Sequence, residues 1–362
     1  MKQHKFHLFL ILGIAVLLIA AALVVFNFWH APLSPGLQLP NFAASATLPF
    51  QPFVTPSLPS GNSTPNGNPT LAASPQTICN KSGVKYILVI GEDYRGGGGD
   101  YLYGLSDVIR IVRVNFSTPF ISVLAIPRDL WVFIPELADQ NIDYGKINQA
   151  YFFGTPGMGH YKGSGGGAGL LADTLYYNFG IFPDHYVVVS MTAFEKIVDT
   201  VGGVDVILTE PVDGNITVEG EAQNLGYYPA GTYHFDGETA LKFMRIRYGY
   251  TELKRIDNQT IIIKALYDKL TSSSGVTVDV LGIVDALIKN NTVLTDLSPA
   301  DISDLYCLSK HIKTTNIKLE TLPSDSFSAQ TVFSSIQNDY VFAYVPDTAK
   351  VTQYIRQFMD GN

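Results

Sequence analysis

From Phe6 to Trp29 the chain carries no Asp, Glu, Lys or Arg, and the run FHLFLILGIAVLLIAAALVVFNFW is almost wholly apolar. A helix of 24 such residues is long enough for a hydrocarbon layer of roughly 30 Å. Lys2 and Lys5 precede it, which predicts a cytoplasmic N-terminus. Phe26, Phe28 and Trp29 would then mark the far interface. The run exceeds the roughly 15-residue apolar region of a cleaved signal peptide. The one cleavage-like triplet, Ala44-Ser45-Ala46, lies far downstream. We therefore expect residues 1–30 to be a short cytoplasmic stub and an uncleaved membrane anchor. The remainder would lie outside the cytoplasm.

Residues 31–80 contain no charged side chain and half of the 20 prolines, among many Ser, Thr, Asn and Gly. Such a segment buries too little apolar surface to fold and is expected to be an extended, semi-rigid spacer. Beyond it, short apolar runs alternate with helical patterns. Tyr86–Ile90, Val108–Val114, Phe120–Ile126, Tyr186–Val189, Val204–Leu208, 315–322 and 340–345 read as strands. The second and third are joined by the turn Asn115–Pro119 as a hairpin. Ala168–Phe179, Thr192–Val201, Glu238–Arg245, Arg255–Leu270, 279–290 and 299–312 read as helices, with Gly202-Gly203 as a stop signal. This alternation predicts an α/β fold: a mixed central β-sheet with helices on both faces, preceded by the transmembrane helix. Residues 81–325 would form the main domain, with 326–362 packing on it.

The chain is acidic, with 24 Lys and Arg against 32 Asp and Glu and a net charge of -8. Yet seven of its eight arginines lie between Arg95 and Arg255, in polar islands at the ends of strand-like runs. Clustered guanidinium groups in an acidic protein argue against a nucleic-acid surface and for a site that takes one compact anion. Arginine forks match phosphate oxygens bidentately. Asp93 and Asp107 lie in the same islands, and carboxylates beside such arginines suggest a bridging divalent metal. Arg128 and Asp129 follow a strand in IPRD, and Lys146 and Asn148 enter a helical run in GKINQAY. Arg245, Arg247 and Arg255 form the densest cluster. Arg245 and Arg247, two apart, fit a helix that ends in an extended segment, both side chains reaching one ligand.

Other chemistries lack their motifs. The glycine-rich stretch GEDYRGGGGDYLYG (91–104) has no following GK[ST] or helix, so it is neither a P-loop nor a dinucleotide fingerprint. There is no HExxH and no GxSxG. Cys79 and Cys307 have no CxxC neighbour. Two separate thiols and a disulfide both remain open, since pairing depends on geometry.

Taken in order, ILVIGEDYR, SDVIRIVRVN, ISVLAIPRDLWVFIP, KINQAY, VDTVGGVDV, FDGETALKFMRIR and ELKRIDNQ resemble the LytR-CpsA-Psr (LCP) family of bacterial cell-wall glycopolymer ligases. The resemblance implies a membrane-anchored phosphotransferase that moves a glycan phosphate from a polyprenyl-pyrophosphate carrier to a cell-wall acceptor hydroxyl. It implies Mg2+ held by Asp93 and Asp107, and pyrophosphate held by Arg95, Arg128, Arg245, Arg247 and Arg255. Asp93, Asp107 and Arg128 would be catalytic, with Asp107 favoured as proton acceptor, and the lipid tail would enter an apolar tunnel. The partners implied are the lipid-linked glycan, the acceptor polymer and the bilayer through residues 6–29, with no nucleic acid. A lipid-capturing binding protein and a pyrophosphate-linked hydrolase are the alternatives. Three positions depart from the family pattern: Leu105, Glu252 and Asn258 stand where the family usually has Arg, Asp and Arg. The segment KGSGGGAG (162–169) is also atypical.

Overall fold

Alternating apolar residues in three neighbouring strands set the frame of the fold. In β1 (Val84–Glu92), β2 (Ser106–Asn115) and β3 (Phe120–Ala125), Leu88, Ile90, Ile109, Ile111 and Leu124 enter one core cluster. Ile87, Val89, Val112, Val114 and Ile121 enter another. A period of two sends successive side chains to opposite faces, so both faces of these strands must be covered. The computed structural model describes residues 27, 29–40, 79, 81–93, 104–137, 140, 142–218, 221–247, 252–271 and 293–361.

The chain continues through β4 (Trp131–Phe133), β5 (Tyr144–Lys146), α1 (Ile147–Gly154), α2 (Gly166–Phe179), β6 (His185–Ser190), α3 (Met191–Thr200) and β7 (Val204–Leu208). There follow β8 (Val212–Val218), β9 (Glu221–Tyr228), β10 (Gly231–Phe235), α4 (Gly237–Arg245), α5 (Glu252–Thr271) and β11 (Val293–Thr295). The last elements are α6 (Pro299–Ser309), β12 (Ile317–Thr321), β13 (Phe327–Ser334), β14 (Asp339–Pro346) and α7 (Thr348–Asp360). The central sheet has six strands in the order β11-β6-β1-β2-β3-β12. It is mixed: β2 runs antiparallel to β1 and β3, while β6 and β12 run parallel to β1 and β3. Helices α1, α2 and α7 cover one face. Val351, Ile355 and Phe358, on one stripe of α7, are buried in that cluster, and such side chains contribute roughly 1.5–3 kcal/mol each. Helices α3, α4, α5 and α6 lie over the other face.

The atypical glycines are a packing device. A Cβ at Gly167, in the first turn of α2, would sit 2.6 Å from the Tyr151 carbonyl oxygen of α1, so glycine is what lets the two helices touch. Ser190 caps α3 by accepting from the Ala193 amide. Gly202 and Gly203 end that region in the left-handed conformation, with φ of 77° and 78°.

Most expected elements are present, and the differences have physical reasons. β7 pairs with β10 in a separate ribbon instead of joining the central sheet. The hairpins β4–β5 and β8–β9, strand β13, which pairs with the expected β14, and helix α7 extend the architecture beyond the expected elements. The helix expected at 279–290 lies outside the described residues. So does the expected membrane span, apart from residues 27 and 29; among the described residues no helix is long and apolar enough to cross a membrane. The spacer needs correction at its start. Leu33 donates to the Leu297 carbonyl, the Ser164 hydroxyl to Gly36, and Leu37 packs against the main core. Leu33–Leu37 therefore lie on the domain, because this stretch offers free carbonyls and a leucine to a surface with matching donors. Cys79 is bonded to Cys307 with the Cα atoms 5.8 Å apart, and Lys81 pairs with Asp301 beside it. A disulfide typically contributes about 2–4 kcal/mol, with the larger values for long loops such as this one.

Asp173 of α2 is 2% exposed and accepts from the Tyr161 hydroxyl at 2.7 Å. Its second oxygen has no hydrogen-bond partner among the described residues. Burial lifts its pKa to about 7, against the Tyr161 hydrogen bond and helped by Glu136. The folded state therefore holds this proton more tightly than the unfolded chain, whose Asp titrates near 3.9. Its contribution is fully present below about pH 4 and lost as pH rises towards 7. We expect Asp173→Asn to leave stability near pH 4 little changed and to exceed wild type by about 4 kcal/mol at pH 8, measured by urea unfolding. A constant difference across this range would contradict the assignment.

Candidate active site

A β-bulge creates the site. Gly91 pairs with Val108 and Glu92 with Ser106, which leaves Asp107 as an extra residue in β2. Strict alternation would send Asp107 to the same face as Ile109. A bulge re-aims a side chain, and here the carboxylate turns to the face covered by α4 and α5. Ser106 steadies the strand end by donating to the Asn148 carbonyl at 3.2 Å.

Two arginines from remote parts of the chain meet on Asp107. Arg128, in the turn after β3, donates through Nη1 to Oδ1. Arg255, in the first turns of α5, donates through Nη1 to Oδ2 at 3.2 Å and through Nη2 to the Asp107 carbonyl at 2.8 Å. Nη2 also donates to Glu252 Oε1 at 2.6 Å. The other Glu252 oxygen lies 3.8 Å from Arg128 Nε, so one buried carboxylate stands behind both guanidinium groups. Asp129 flanks Arg128 and takes an ion pair from Lys146 at 3.0 Å.

The charges are tuned by this company. Burial works against the ionised Asp107, but Arg128 and Arg255 outweigh it and hold its carboxyl below the usual carboxylate range. Burial likewise opposes the charge on Arg128, and Asp107, Glu252 and Asp129 more than offset it, raising its pKa. Asp93 stands beside Asp107. Burial first, and then the Asp107 charge, raise its pKa. Its Oδ1 accepts from the Leu105 amide at 2.6 Å, so the backbone of the residue that departs from the family pattern holds this carboxylate. Glu252 is raised by burial against the pull of Arg255 and Arg128.

Residues of the late motif brace the floor of the site. Asn258 donates to the Ile246 carbonyl at 3.2 Å and ties α5 to the end of α4. Gln259 accepts from Arg110 at 3.1 Å. Burial and the neighbouring Arg255 lower the Arg110 pKa to about 10. Strand alternation carries Arg113 to the opposite face, where it donates to the Met359 carbonyl. Of the two arginines near Leu105, Arg110 is therefore the one that adds positive charge beneath the site.

Beside the cluster lies a cavity of about 210 Å³ between β1, β6 and helices α3, α4 and α5. Apolar side chains such as Val89, Val189, Phe194, Leu241 and Met244 form most of its wall. Asp107, Arg245, Arg255 and Gln259 also line it, so its charge is supplied by the same cluster. Arg245 is exposed at the last turn of α4. Arg247 follows the buried Ile246 and is half-buried; it is not among the described residues lining the cavity. Of this pair the cavity wall takes in Arg245 and not Arg247, because α4 ends between them. Arg95 lies outside the described residues. Glu252 had no role in the sequence reading beyond a departure. Its spacing from Arg255, one helical turn, is the signal that would have identified the pair.

Asp93 and Asp107 are two like charges packed side by side, the donor set a hard divalent cation takes. Asp93 keeps one oxygen outside its backbone hydrogen bond. Both Asp107 oxygens are shared with Arg128 and Arg255, so the open Asp93 oxygen is the one a divalent cation would meet first.

The LytR_cpsA_psr family model matches residues 60–357. The chain is 31% identical over 226 residues to the polyisoprenyl-teichoic acid–peptidoglycan teichoic acid transferase TagU of Oceanobacillus iheyensis, and spans 58% of that relative's length. The match takes in 58% of this chain. Among solved structures, Bacillus subtilis TagV superposes with a TM-score of 0.55 at 25% identity, over 77% of this chain and 98% of TagV. TagT bound to LIIa-WTA has the same fold, with a TM-score of 0.53 at 22% identity over 78% of this chain and 91% of TagT. The family match runs from before β1 into α7, so the chain belongs to the LytR_cpsA_psr family.

Proposed function

We propose that this protein is a membrane-anchored phosphotransferase that moves a glycan phosphate from a polyprenyl-pyrophosphate carrier to a hydroxyl of a cell-wall polymer. The observation that carries this reading is the apolar cavity with guanidinium groups and Asp107 on its wall. An isoprenoid tail needs an apolar sleeve, and a diphosphate needs fixed positive charge at the end of it. The names of TagU and TagT add that relatives handle lipid-linked teichoic acid and its intermediates. Anchoring through residues 6–29 fits the docking of Leu33 on the domain. The four peptide units from Trp29 to Leu33 reach no more than about 15 Å, which would hold the domain against the bilayer that carries the donor.

In the proposed reaction the acceptor hydroxyl attacks the phosphorus attached to the glycan. A new P–O bond forms to the acceptor, the bridging P–O–P bond breaks, and polyprenyl phosphate departs with the electron pair. Such a transfer needs positioning and neutralisation of spreading negative charge. Arg128, Arg245 and Arg255 would hold the two phosphates, while Glu252 fixes the two buried arginines. Magnesium on Asp93 and Asp107 would withdraw charge from the pyrophosphate. Asp107, locked between two arginines and lowered in pKa, is a poor proton acceptor. Asp93, which keeps one oxygen outside its backbone hydrogen bond, is the other carboxylate in reach of the hydroxyl proton.

The test uses the full chain in lipid nanodiscs with a lipid-linked glycan and a cell-wall acceptor. Arg255→Ala and Arg245→Ala are each expected to lower the release of polyprenyl phosphate by about 10²–10³-fold. Arg245 is exposed, so its variant separates lost chemistry from lost folding. Wild-type rates in both variants would overturn the reading, and full release without acceptor would favour the hydrolase. In the same assay, chelation of divalent cations should abolish turnover, and Asp93→Asn should raise the magnesium concentration that restores it. Full activity under chelation would remove the metal from the account.

A further inference from the structure

The hairpin β13–β14 carries a row of aromatic rings that the proposed reaction does not use. Ala329 pairs with Tyr344, Thr331 with Phe342, and Phe333 with Tyr340, so these positions share one face of the ribbon. Ring centroids lie 4.9 Å apart for Phe327–Tyr344, 5.1 Å for Phe342–Tyr344 and 5.5 Å for Phe333–Tyr340. Exposure rises outward along the row, from 7% at Tyr344 through 43% at Phe342 to 52% at Phe333 and 69% at Tyr340. Packing explains Tyr344 and Phe327, which join the main core. It does not explain three exposed rings side by side, and grouped exposed aromatics mark a surface that binds something.

We propose that this aromatic face is the docking strip for an uncharged glycan strand, the acceptor in the transfer reaction; the identity as acceptor rests on the function proposed above. Position supports it. The Tyr344 amide donates to the Asp129 carbonyl at 2.9 Å, and Leu130 bridges to Tyr344. The inner end of the row is therefore next in sequence to Arg128, where a hydroxyl would have to arrive. Successive rungs on one face of a strand are about 7 Å apart, so the row leads outward over several sugar rings. Charge selects the occupant. From Phe327 to Pro346 the one charged residue is Asp339, so the ribbon offers no cation to a phosphate-rich polymer. Sugar rings present C–H faces to aromatic rings and hydroxyls to Thr331, which pairs with Phe342 on the same face. A polyanionic donor chain would gain neither a counter-charge nor relief from Asp339.

The test measures co-sedimentation of the full chain, in detergent, with peptidoglycan sacculi stripped of phosphate-containing polymers, with N-acetylglucosamine oligomers as soluble competitor. A Phe333→Ala/Tyr340→Ala/Phe342→Ala variant should bind the sacculi about tenfold or more weakly. It should keep the wild-type melting temperature and wild-type affinity for a lipid-linked donor. Phe333→Trp/Tyr340→Trp should retain binding, since the stacking surface is preserved. Undiminished sacculus binding by the triple variant would overturn the proposal. So would preferential binding of wild type to a phosphate-rich polymer, or loss of self-association as the main effect, which would make the strip a contact between two copies. Strand binding is read without turnover. Failure of the transferase reading would therefore show as an inactive wild type that still binds sacculi through the ribbon.

Discussion

Everything at the site depends on one carboxylate shared by two guanidinium groups. Asp107 is separated in sequence from Arg128 by 21 residues and from Arg255 by 148, and their meeting point fixes the first turn of α5 against the start of β2. Buried ion pairs are expensive to desolvate and stable only when every partner is present. Here Glu252 and Asp129 complete the set. The consequence is mechanical as well as electrostatic. With α5 pinned to the strand end, its apolar stripe, together with α3 and α4, stands off the sheet and leaves the cavity open.

The two faces of the sheet do different work. On one, α1, α2 and α7 pack the main core, with Gly167 permitting α2 to touch α1. On the other, small and branched side chains of β1 and β6 face helices that do not close over them. Glu92 sits at the boundary between these faces. It accepts from Tyr151 at 2.8 Å on the packed side and lines the cavity on the other. The packed core on one side and the open cavity on the other put Asp107 where buried arginines reach it.

Much of this was legible in the sequence. The strand runs around Ile87, Ile109 and Leu124 and the helical stripes needed only periodicity, and the polar islands at strand ends located Asp107, Arg128 and Arg255. Three things were not legible. The bulge at Asp107 is a matter of pairing register, which no local pattern encodes. The aromatic ribbon reads as an ordinary strand at 340–345 until its partner strand shows that Phe333 and Tyr340 share a face. The docking of Leu33–Leu37 depends on Ser164 and Leu297, far away in sequence, so a proline-rich, uncharged composition suggested a free spacer throughout.

The most direct measurement is a crystal structure of the protein with a short isoprenyl pyrophosphate such as farnesyl pyrophosphate. The account predicts the tail between β1, β6 and helices α3, α4 and α5, with the phosphate oxygens bonded to Arg245 and Arg255. A diphosphate held elsewhere, or a tail lying outside that cavity, would contradict it.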